Sequence, residues 1–481
     1  MKLDQKNNSF IIDDQKEYTA VQFKSDVIRH SMVLLKHGVQ EGDRVTLCCP
    51  NNYSFLVSLF SLMHVNCSIV LLDPDISSTD FDWIHKKTRS HWILSTEDAG
   101  VEHTTFINLH STIKAASTIS EQNDMDLDLT QWYHRRDAVI LFSSGSTGLP
   151  KGIMKSGASL FSNMYSTAIG MRYNHDEVIL PVVPFFNIWG LNMIIQWWVT
   201  GGTLVVCDYQ STRTLPSIIN QRNVSVVEAT IATTYLIVQL AERNVKHVQQ
   251  IKRNVRMWFT SGAPVPNVLK ERFYSVFGIP LLDYYGSSEA GNLTSTNLGH
   301  LKGTGTLLPG SSVKIFNEDF IETIPGEIGH IYAKGNGLME GYLDEVGNAS
   351  LPLLNGWLDM KDFGYFDEEG NLFVIGRHDG AIHRMGATFY PCHMERIVEE
   401  LGILSKVVSF KEEKKSSFLT LFVQYPPDQS SIIRKQIISA LPTYMYPDKL
   451  ICIDKFPFLP NGKVHGKKLE EYALKEVTMP I

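Results

Sequence analysis

The sequence predicts an α/β protein with a large N-terminal domain of βαβ-type sheets plus a small distorted β-barrel, and a small α+β C-terminal domain. Three observations support this fold class. Helical and strand patterns alternate through the first half of the chain, which is typical of parallel sheets. Later strands are shorter and joined by Gly-rich turns, and the pattern changes again after Arg377. At 481 residues, the chain exceeds what one hydrophobic core usually supports, so two or more domains are expected.

The N-terminal region begins this alternation. Residues 19–38 have the apolar period of a helix and end at Gly38, which predicts a glycine C-cap. Residues 43–50 predict a strand, residues 52–65 a helix and residues 68–74 a second strand. A helix between two strands is the pattern of a βαβ unit, so the sheet is expected to be largely parallel.

The most apolar region of the chain, residues 178–208, raises the question of a membrane span. Pro181, Pro184 and Asn187 interrupt it early, and Gly201-Gly202 divide it again. A spanning helix needs about 20 predominantly apolar residues, so we expect a buried helix followed by a buried strand instead. The N-terminus also has no apolar stretch of the signal-peptide type. No transmembrane segment is therefore predicted.

Residues 310–316, 326–334 and 371–377 predict short strands joined by Gly-rich turns, as in a small barrel or distorted sheet. The change to a compact α+β pattern after Arg377 places a boundary near Arg377–Gly380. The predicted organisation is therefore a core of residues 1–376, a connection at residues 377–380 and a second domain of residues 381–481.

Composition excludes several classes of partner. The net charge of −7 argues against nucleic acid or an anionic membrane surface as the main partner. The six cysteines are few, scattered and without CxxC spacing, which favours reduced thiols in a cytoplasmic protein. They are Cys48, Cys49, Cys67, Cys207, Cys392 and Cys452.

The segment Leu141–Ser156, LFSSGSTGLPKGIMKS, has the composition of a phosphate-binding loop. Its glycines allow successive backbone amides to face one concavity, while its hydroxyls and Lys151 add donors suited to phosphate oxygens. The Walker A pattern fails, because Pro150 precedes Lys151 and Gly152 follows it. Composition alone leaves an ordinary polar turn as the alternative.

Four further motifs follow in order: LLDYYGSSEAGN at Leu281–Asn292, residues 356–380, LPTYMYP at Leu441–Pro447 and FLPNGKVHGKKL at Phe458–Leu469. Together with the glycine-rich loop, this series resembles the adenylate-forming superfamily of acyl- and aryl-CoA synthetases, nonribosomal peptide synthetase adenylation domains and luciferases. The resemblance covers nearly the whole chain and is greatest to a free-standing acyl-CoA ligase. It implies that ATP and a small carboxylic acid form an acyl adenylate and pyrophosphate, and that a thiol then takes the acyl group.

The resemblance implies roles for particular residues, with Lys463, Glu289 and Lys151 as the catalytic set and Glu289 as the Mg²⁺ ligand. Asp362 would bind the ribose hydroxyls, and Arg377 would contact the same sugar. Tyr285 would stack on adenine, Asp283 would accept from the adenine amino group, and Gly262, Ala263 and Pro264 of the SGAP segment would line the adenine. The implied ATP-binding set comprises Ser143, Ser144, Gly145, Ser146, Thr147, Gly148, Lys151, Gly262, Ala263, Pro264, Asp283, Tyr284, Tyr285, Gly286, Ser288, Asp362, Arg377 and Lys463.

The C-terminal domain of such enzymes is a mobile lid that rotates between the two half-reactions. By resemblance, Asp379 is the hinge and Gly386 lies beside the thiol tunnel. The sequence departs from the family pattern where Met360 and Lys361 precede Asp362, and where His383 replaces a lysine.

The acid pocket is expected around PFFNIWGLN, with Phe186, Asn187, Trp189 and Gly190 as its residues. Asn187 cannot supply the charge that a substrate ammonium would need, and the aromatic neighbours favour an apolar fatty or aryl acid. Core packing is the alternative explanation for these aromatics.

Three functions stay open from the sequence. The first is a free-standing acyl-CoA ligase, with CoA as the acceptor thiol. The second is a free-standing adenylation enzyme that loads the phosphopantetheine of a separate carrier protein, because LPTYMYP is closer to the form in such enzymes. No carrier motif follows Lys463, which favours CoA. The third is a non-catalytic nucleotide-binding relative, suggested by Met360, Lys361 and His383. The presence of Glu289 and Asp362, together with Arg377 and Lys463, argues against it.

Overall fold

A computed structural model describes residues 9–14, 16–97, 105–120, 126–143, 150–344, 349–378, 380, 382–385, 387–412, 415–426, 430–458 and 464–478. Several residues of the predicted site lie outside the described residues. They are Ser144, Gly145, Ser146, Thr147, Gly148, Asp379, Gly386 and Lys463.

The helices of the described chain are α1 Ala20–Lys36, α2 Tyr53–His64, α3 Ser78–Thr88, α4 Leu109–Ser117, α5 Thr130–His134, α6 Gly157–Met171, α7 Ile188–Thr200, α8 Leu215–Gln221, α9 Ile231–Glu242, α10 Val245–Asn254, α11 Asn267–Phe277, α12 Pro391–Glu399, α13 Ser430–Ala440 and α14 Gly466–Thr478. None of these helices is both long and apolar enough to cross a membrane.

The strands of the same residues are β1 Ser9–Asp13, β2 Lys16–Thr19, β3 Arg44–Cys48, β4 Ser68–Leu72, β5 Trp92–Ser95, β6 Thr105–Asn108, β7 Val139–Ser143, β8 Lys151–Lys155, β9 Val178–Val182, β10 Thr203–Val206, β11 Val226–Ala229, β12 Met257–Thr260, β13 Leu281–Ser287, β14 Gly291–Ser295, β15 Thr306–Leu307, β16 Ser311–Phe316, β17 Gly329–Gly335, β18 Gly341–Leu343, β19 Ala349–Ser350, β20 Leu353–Leu354, β21 Trp357–Phe366, β22 Leu372–Arg377, β23 Ile382–Arg384, β24 Ala387–Phe389, β25 Ser405–Glu412, β26 Lys415–Gln424 and β27 Lys449–Ile453.

Helix α1 illustrates how local sequence sets an element's ends. The Thr19 hydroxyl accepts from the Gln22 backbone N–H, and the Gln22 side chain accepts from the Thr19 N–H, so two N-terminal donors are satisfied. At the other end, Gly38 has a φ of 99°, which glycine adopts readily after a helix. The predicted helix and the predicted strands at β3 and β4 are confirmed.

Two large sheets form the N-terminal part of the molecule. One has the strand order β19-β18-β8-β7-β4-β3-β5-β6 and is parallel from β7 through β6. The other has the order β15-β14-β13-β12-β11-β9-β10-β1-β2, with a parallel centre from β13 to β1. The predicted βαβ-type sheets are therefore confirmed.

A single hydrophobic core joins these two sheets. It contains side chains from both, such as Leu47 of β3 and Leu204 of β10, together with apolar residues of α1, α2, α6 and α7. Helix α7 and strand β10 are the buried helix and strand that were expected in the most apolar region. A β-strand, β9, also begins that region, which the sequence pattern did not indicate.

The strands expected to form a small barrel instead form an open five-stranded sheet within the described residues. Its path is β16-β17-β21-β20, with β22 paired to the other part of the long strand β21. This corrects the expectation of a barrel. The short strands and Gly-rich turns were predicted correctly, but closure depends on pairing between distant strands, which the local pattern does not reveal.

The chain after Arg377 has hydrophobic cores of its own. Strands β25, β26 and β27 form a three-stranded sheet, and a buried cluster there contains residues of β25, β26, α12 and α13, including Leu421 and Ile437. Aromatic contacts join this part to the preceding sheet: the Phe363 ring lies 4.7 Å from the Tyr390 ring and 5.8 Å from the His393 ring.

Candidate active site

The predicted phosphate loop lies between two paired strands. Strand β7 ends at Ser143 and β8 begins at Lys151, and these two residues are partners in the antiparallel ladder. Of the seven residues between them, residues 144–149 lie outside the described residues, so their role as a cradle stays a prediction. Lys151 is exposed at the base of the loop, with its Nζ 5.4 Å from the centre of the Tyr342 ring.

Glu289 lies in the turn between β13 and β14. Its Oε1 accepts a hydrogen bond of 2.9 Å from the Tyr342 hydroxyl. Burial and the Glu289 carboxylate both raise the pKa of Tyr342, so this phenol stays protonated as a donor. Tyr342 thus contacts both Glu289 and Lys151.

The sequence motifs do not indicate Lys155 as a residue near the site, and it is only 1% exposed. Its Nζ donates to the Gly337 carbonyl oxygen, while the Glu340 N–H donates to the Met154 carbonyl oxygen. Burial lowers the pKa of Lys155 to about 8, and the nearby Glu289 carboxylate opposes that shift. Lys155 therefore ties β8 to residues 337–340. The signal in the sequence is a lysine at the end of an otherwise apolar strand.

The predicted adenine and ribose residues lie together. The Tyr285 hydroxyl donates to Asp362 Oδ2 at 2.6 Å. Asp362 and Arg377 are partners in the β21–β22 ladder, and Arg377 Nε lies 3.9 Å from Asp362 Oδ1. Tyr285 and Arg377, which are far apart in the sequence, thus both approach the Asp362 carboxylate. Binding of ribose and adenine by these residues stays a prediction.

The SGAP segment lies at the end of β12, beside β13. Ser261 Oγ donates to the Tyr284 carbonyl oxygen at 2.6 Å, and the following residues Gly262, Ala263 and Pro264 are exposed. Gly262 has a φ of 96°, a conformation that favours glycine. This exposed segment is adjacent to the strand carrying Tyr285, and its contact with adenine stays a prediction.

Asp283 has a different environment from the one its predicted role suggests. Its side chain is 4% exposed and lies 3.3 Å from Lys270 Nζ. Burial raises the pKa of Asp283 to about 6, and the charge of Lys270 opposes the shift. Asp283 is thus held in a buried ion pair, and a contact with adenine stays a prediction.

The predicted acid-pocket residues do not all face one space. Asn187 caps helix α7, because its Oδ1 accepts from the Gly190 N–H at 2.8 Å. At Gly190 a Cβ would overlap the Pro184 carbonyl oxygen, so glycine is needed there for packing. Phe186 lines a cavity of about 520 Å³ with residues such as Tyr209, whereas Trp189 donates its indole N–H to Glu228.

The substitutions near the ribose site have local explanations. Lys361 is exposed and its Nζ lies 2.5 Å from Asp359 Oδ2. Met360 is buried in the core of the five-stranded sheet. The backbone of His383 lies in β23, directly after the predicted hinge.

Metal binding at this site would depend on Glu289. Among the described residues, there is no group of three or more histidine, cysteine, aspartate or glutamate side chains that could hold a metal. Magnesium in nucleotide sites is commonly held by one or two carboxylates together with phosphate oxygens and water. The partly buried Glu289 carboxylate, which Tyr342 links to Lys151, fits such a shared site.

Comparisons with known proteins agree with this fold. A 2-succinylbenzoate–CoA ligase from a Geobacillus species is 24% identical, over 97% of this chain and 94% of that protein. The ATP-bound MatB structure from Rhodopseudomonas palustris has a TM-score of 0.87 at 20% identity, covering 99% of this chain and 98% of that one. The structure of O-succinylbenzoate coenzyme A synthetase from Bacillus subtilis with AMP has a TM-score of 0.82 at 21% identity. The match covers 96% of this chain and 95% of that one.

These similarities define the fold as that of the enzymes that the motif series resembles. The profile of the AMP-binding enzyme family matches residues 3–343. The chain therefore belongs to the AMP-binding enzyme family, which confirms the resemblance to adenylate-forming enzymes.

Proposed function

We propose that this enzyme activates an aryl carboxylic acid with ATP and transfers the acyl group to CoA. The observation that supports this most directly is the 2.6 Å hydrogen bond from Tyr285 to Asp362, which unites the adenine and ribose motifs. Relatives named for an aryl acid, 2-succinylbenzoate, favour an aryl over a fatty acid.

The reaction has two balanced steps. In the first, a substrate carboxylate oxygen bonds to the α-phosphorus of ATP, the bond to the β-phosphate breaks, and pyrophosphate leaves. In the second, the CoA sulfur bonds to the acyl carbon, the bond to AMP breaks, and the thiol proton is released. Negative charge grows on the phosphates in the first step, so preplaced cations and amides provide the main stabilisation.

The chain's own residues would divide this work as follows. Asp362 would hold the ribose, Lys151 would contact the terminal phosphates, and Lys463 would reach the α-phosphate. Glu289 would share a magnesium ion with ATP; when bound, that ion neutralises phosphate charge. Tyr342 would keep Glu289 oriented through its 2.9 Å hydrogen bond.

We also propose that residues 1–376 form the core, residues 377–380 a hinge at Asp379, and residues 381–481 a mobile lid. The separate hydrophobic core after Arg377 supports this division. The contacts near the hinge include the Phe363–Tyr390 ring pair and the Cys392 thiol, which donates to the Arg377 carbonyl oxygen at 3.2 Å. A cytoplasmic location is supported by six free cysteines, five of them buried.

An assay with two acceptors tests the proposal. Acid-dependent pyrophosphate exchange should occur with an aryl acid, and thioester should then form with CoA. A carrier-protein domain bearing phosphopantetheine serves as the competing acceptor. Exchange without CoA thioester, but with carrier loading, would assign the enzyme to the carrier-loading class. Absence of exchange with all aryl and fatty acids would refute acid activation.

A further inference from the structure

Lys155 is a buried lysine outside the set of residues that would bind ATP. It is the last residue of β8, the strand that follows the predicted phosphate loop, and it is 1% exposed. Its Nζ donates to the carbonyl oxygen of Gly337, which is buried as well. A lysine is rarely buried in full unless it is paired, because removing an ammonium from water is costly. What Lys155 does therefore depends on the segment that it contacts.

That segment, residues 337–342, is also tied to β8 through its backbone. The Glu340 N–H donates to the Met154 carbonyl oxygen at 2.8 Å, and Gly341 is the ladder partner of Met154 in the β8–β18 pair. Lys155 adds a side-chain bond at the other end of the segment. The position of residues 337–342 is therefore set by β8.

The same segment packs against the turn that carries Glu289. The Met339 N–H donates to the Glu289 backbone carbonyl oxygen at 2.6 Å, and the Tyr342 hydroxyl donates to Glu289 Oε1 at 2.9 Å. At Gly337 a Cβ would lie 2.7 Å from the Ala290 carbonyl oxygen, so glycine allows this close approach. The segment thus holds both the backbone and the carboxylate of Glu289.

We propose that Lys155 is a positioning residue for the magnesium site: by anchoring residues 337–342 to β8, it fixes the Glu289 carboxylate where it would bind the ion. This inference rests on the proposed function and adds to it a residue that is buried against Gly337 rather than presented to the nucleotide. Removing a group that orients a metal ligand commonly costs about tenfold or more in metal affinity or activity. Lys155 and the Tyr342 hydroxyl would act from opposite ends of the segment on one carboxylate.

Calorimetry of ATP binding to the full-length protein tests this role without relying on turnover. The measured quantity is the magnesium enhancement, which is the ratio of the ATP affinity with Mg²⁺ to the ATP affinity with EDTA. Lys155→Met keeps most of the side-chain volume and removes the ammonium. It should lower the enhancement about tenfold, while the affinity with EDTA changes less than about twofold. Lys406→Met is the matched control, because Lys406 pairs with Glu395 in the C-terminal part, and it should leave the enhancement unchanged.

A double-mutant cycle separates positioning from a merely structural role. Tyr342→Phe removes the hydroxyl that donates to Glu289 and should also lower the enhancement. The loss in Lys155→Met/Tyr342→Phe should be smaller than the product of the two single losses, because both residues fix one carboxylate. Hydrogen exchange at the amides of residues 339–340 should become faster in Lys155→Met, since the segment loses one of its anchors. Losses that multiply, or an unchanged enhancement in folded Lys155→Met, would overturn the inference.

Lys155→Gln covers the case of a Met variant that does not fold. It keeps a neutral N–H donor at the buried position and should lower the magnesium enhancement by a smaller factor, about threefold. An unchanged enhancement in this variant would equally contradict the role of Lys155.

The inference and the proposed function fail in different ways. A magnesium enhancement that depends on Lys155, without pyrophosphate exchange by any acid, would refute acid activation but support the positioning role. Pyrophosphate exchange by a wild-type protein whose ATP affinity magnesium does not raise would support acid activation and refute the positioning role. Absence of both would refute both.

Discussion

The nucleotide side and the acid side of the candidate site are built differently. On the nucleotide side, two motifs meet directly in the hydrogen bond from Tyr285 to Asp362, while Tyr342, which lies outside the motifs, donates to Glu289. On the acid side, Asn187 caps a helix and Gly190 permits close packing, while Trp189 donates to Glu228, which no motif indicated. The hydrogen bond between motif residues involves positions that the sequence singles out, whereas the contacts of Asn187, Gly190 and Trp189 depend on packing that the motifs do not reveal.

The largest effect is expected at Lys463, on the nucleotide side. Lys463→Ala should reduce acid-dependent pyrophosphate exchange about a hundredfold or more, because it removes a charge that acts mainly on the transition state. Thioester formation from a supplied acyl adenylate should continue, since that step does not create the pentavalent phosphorus. Exchange within a few-fold of wild type would show that Lys463 has no catalytic role.

The hinge allows the two half-reactions to be separated. In Asp379→Pro, the proline fixes its own φ and restricts the backbone of His378. The substitution should therefore impede rotation of the C-terminal lid. We expect CoA thioester output to fall about tenfold or more while pyrophosphate exchange persists. Asp379→Ala is the matched control and should retain both activities. Equal loss of both half-reactions in a folded Pro variant would contradict alternation of the lid.

A substitution of Asp362 tests the ribose site without changing the acid side. Asp362→Ala removes a charged acceptor for two hydroxyls, and hydrogen bonds to charged groups contribute about 1.5–3 kcal/mol each. Calorimetry should therefore show at least about tenfold weaker ATP binding. Tyr285→Phe keeps the ring and removes only the hydroxyl that donates to Asp362, so its loss should be smaller. Unchanged ATP affinity in Asp362→Ala would remove this residue from the site.

The smallest effect is expected at Asn187, on the acid side. Asn187→Ala removes the α7 N-cap and should lower the free energy of unfolding by about 1 kcal/mol, which thermal or denaturant unfolding would measure. The KM for the aryl acid should change less than about twofold, because the cap is engaged with the Gly190 N–H. A large rise in KM without loss of stability would instead place the Asn187 side chain against the substrate.

Sequence patterns predicted much of the fold because they reflect local structure. The periodicity of α1 and the apolar runs of β3 and β4 are read within a few residues, and the motif series led to the correct family. Closure of the five-stranded sheet was predicted wrongly, since it depends on which distant strands pair. The roles of the residues between Ser143 and Pro150, and of Asp379, Gly386 and Lys463, stay predictions because these residues lie outside the described ones.

The sequence by itself determined the alternation of helices and strands, the phosphate-loop composition and the order of the adenylate-forming motifs. Tertiary structure alone decided which polar groups meet. The Tyr285–Asp362 hydrogen bond spans 77 residues, the Tyr173–Glu228 bond 55 and the Trp189–Glu228 bond 39. The physical reason is the separation of the interacting residues along the chain. Helical and strand periods are set by neighbouring residues, whereas contacts between distant side chains depend on strand order and register.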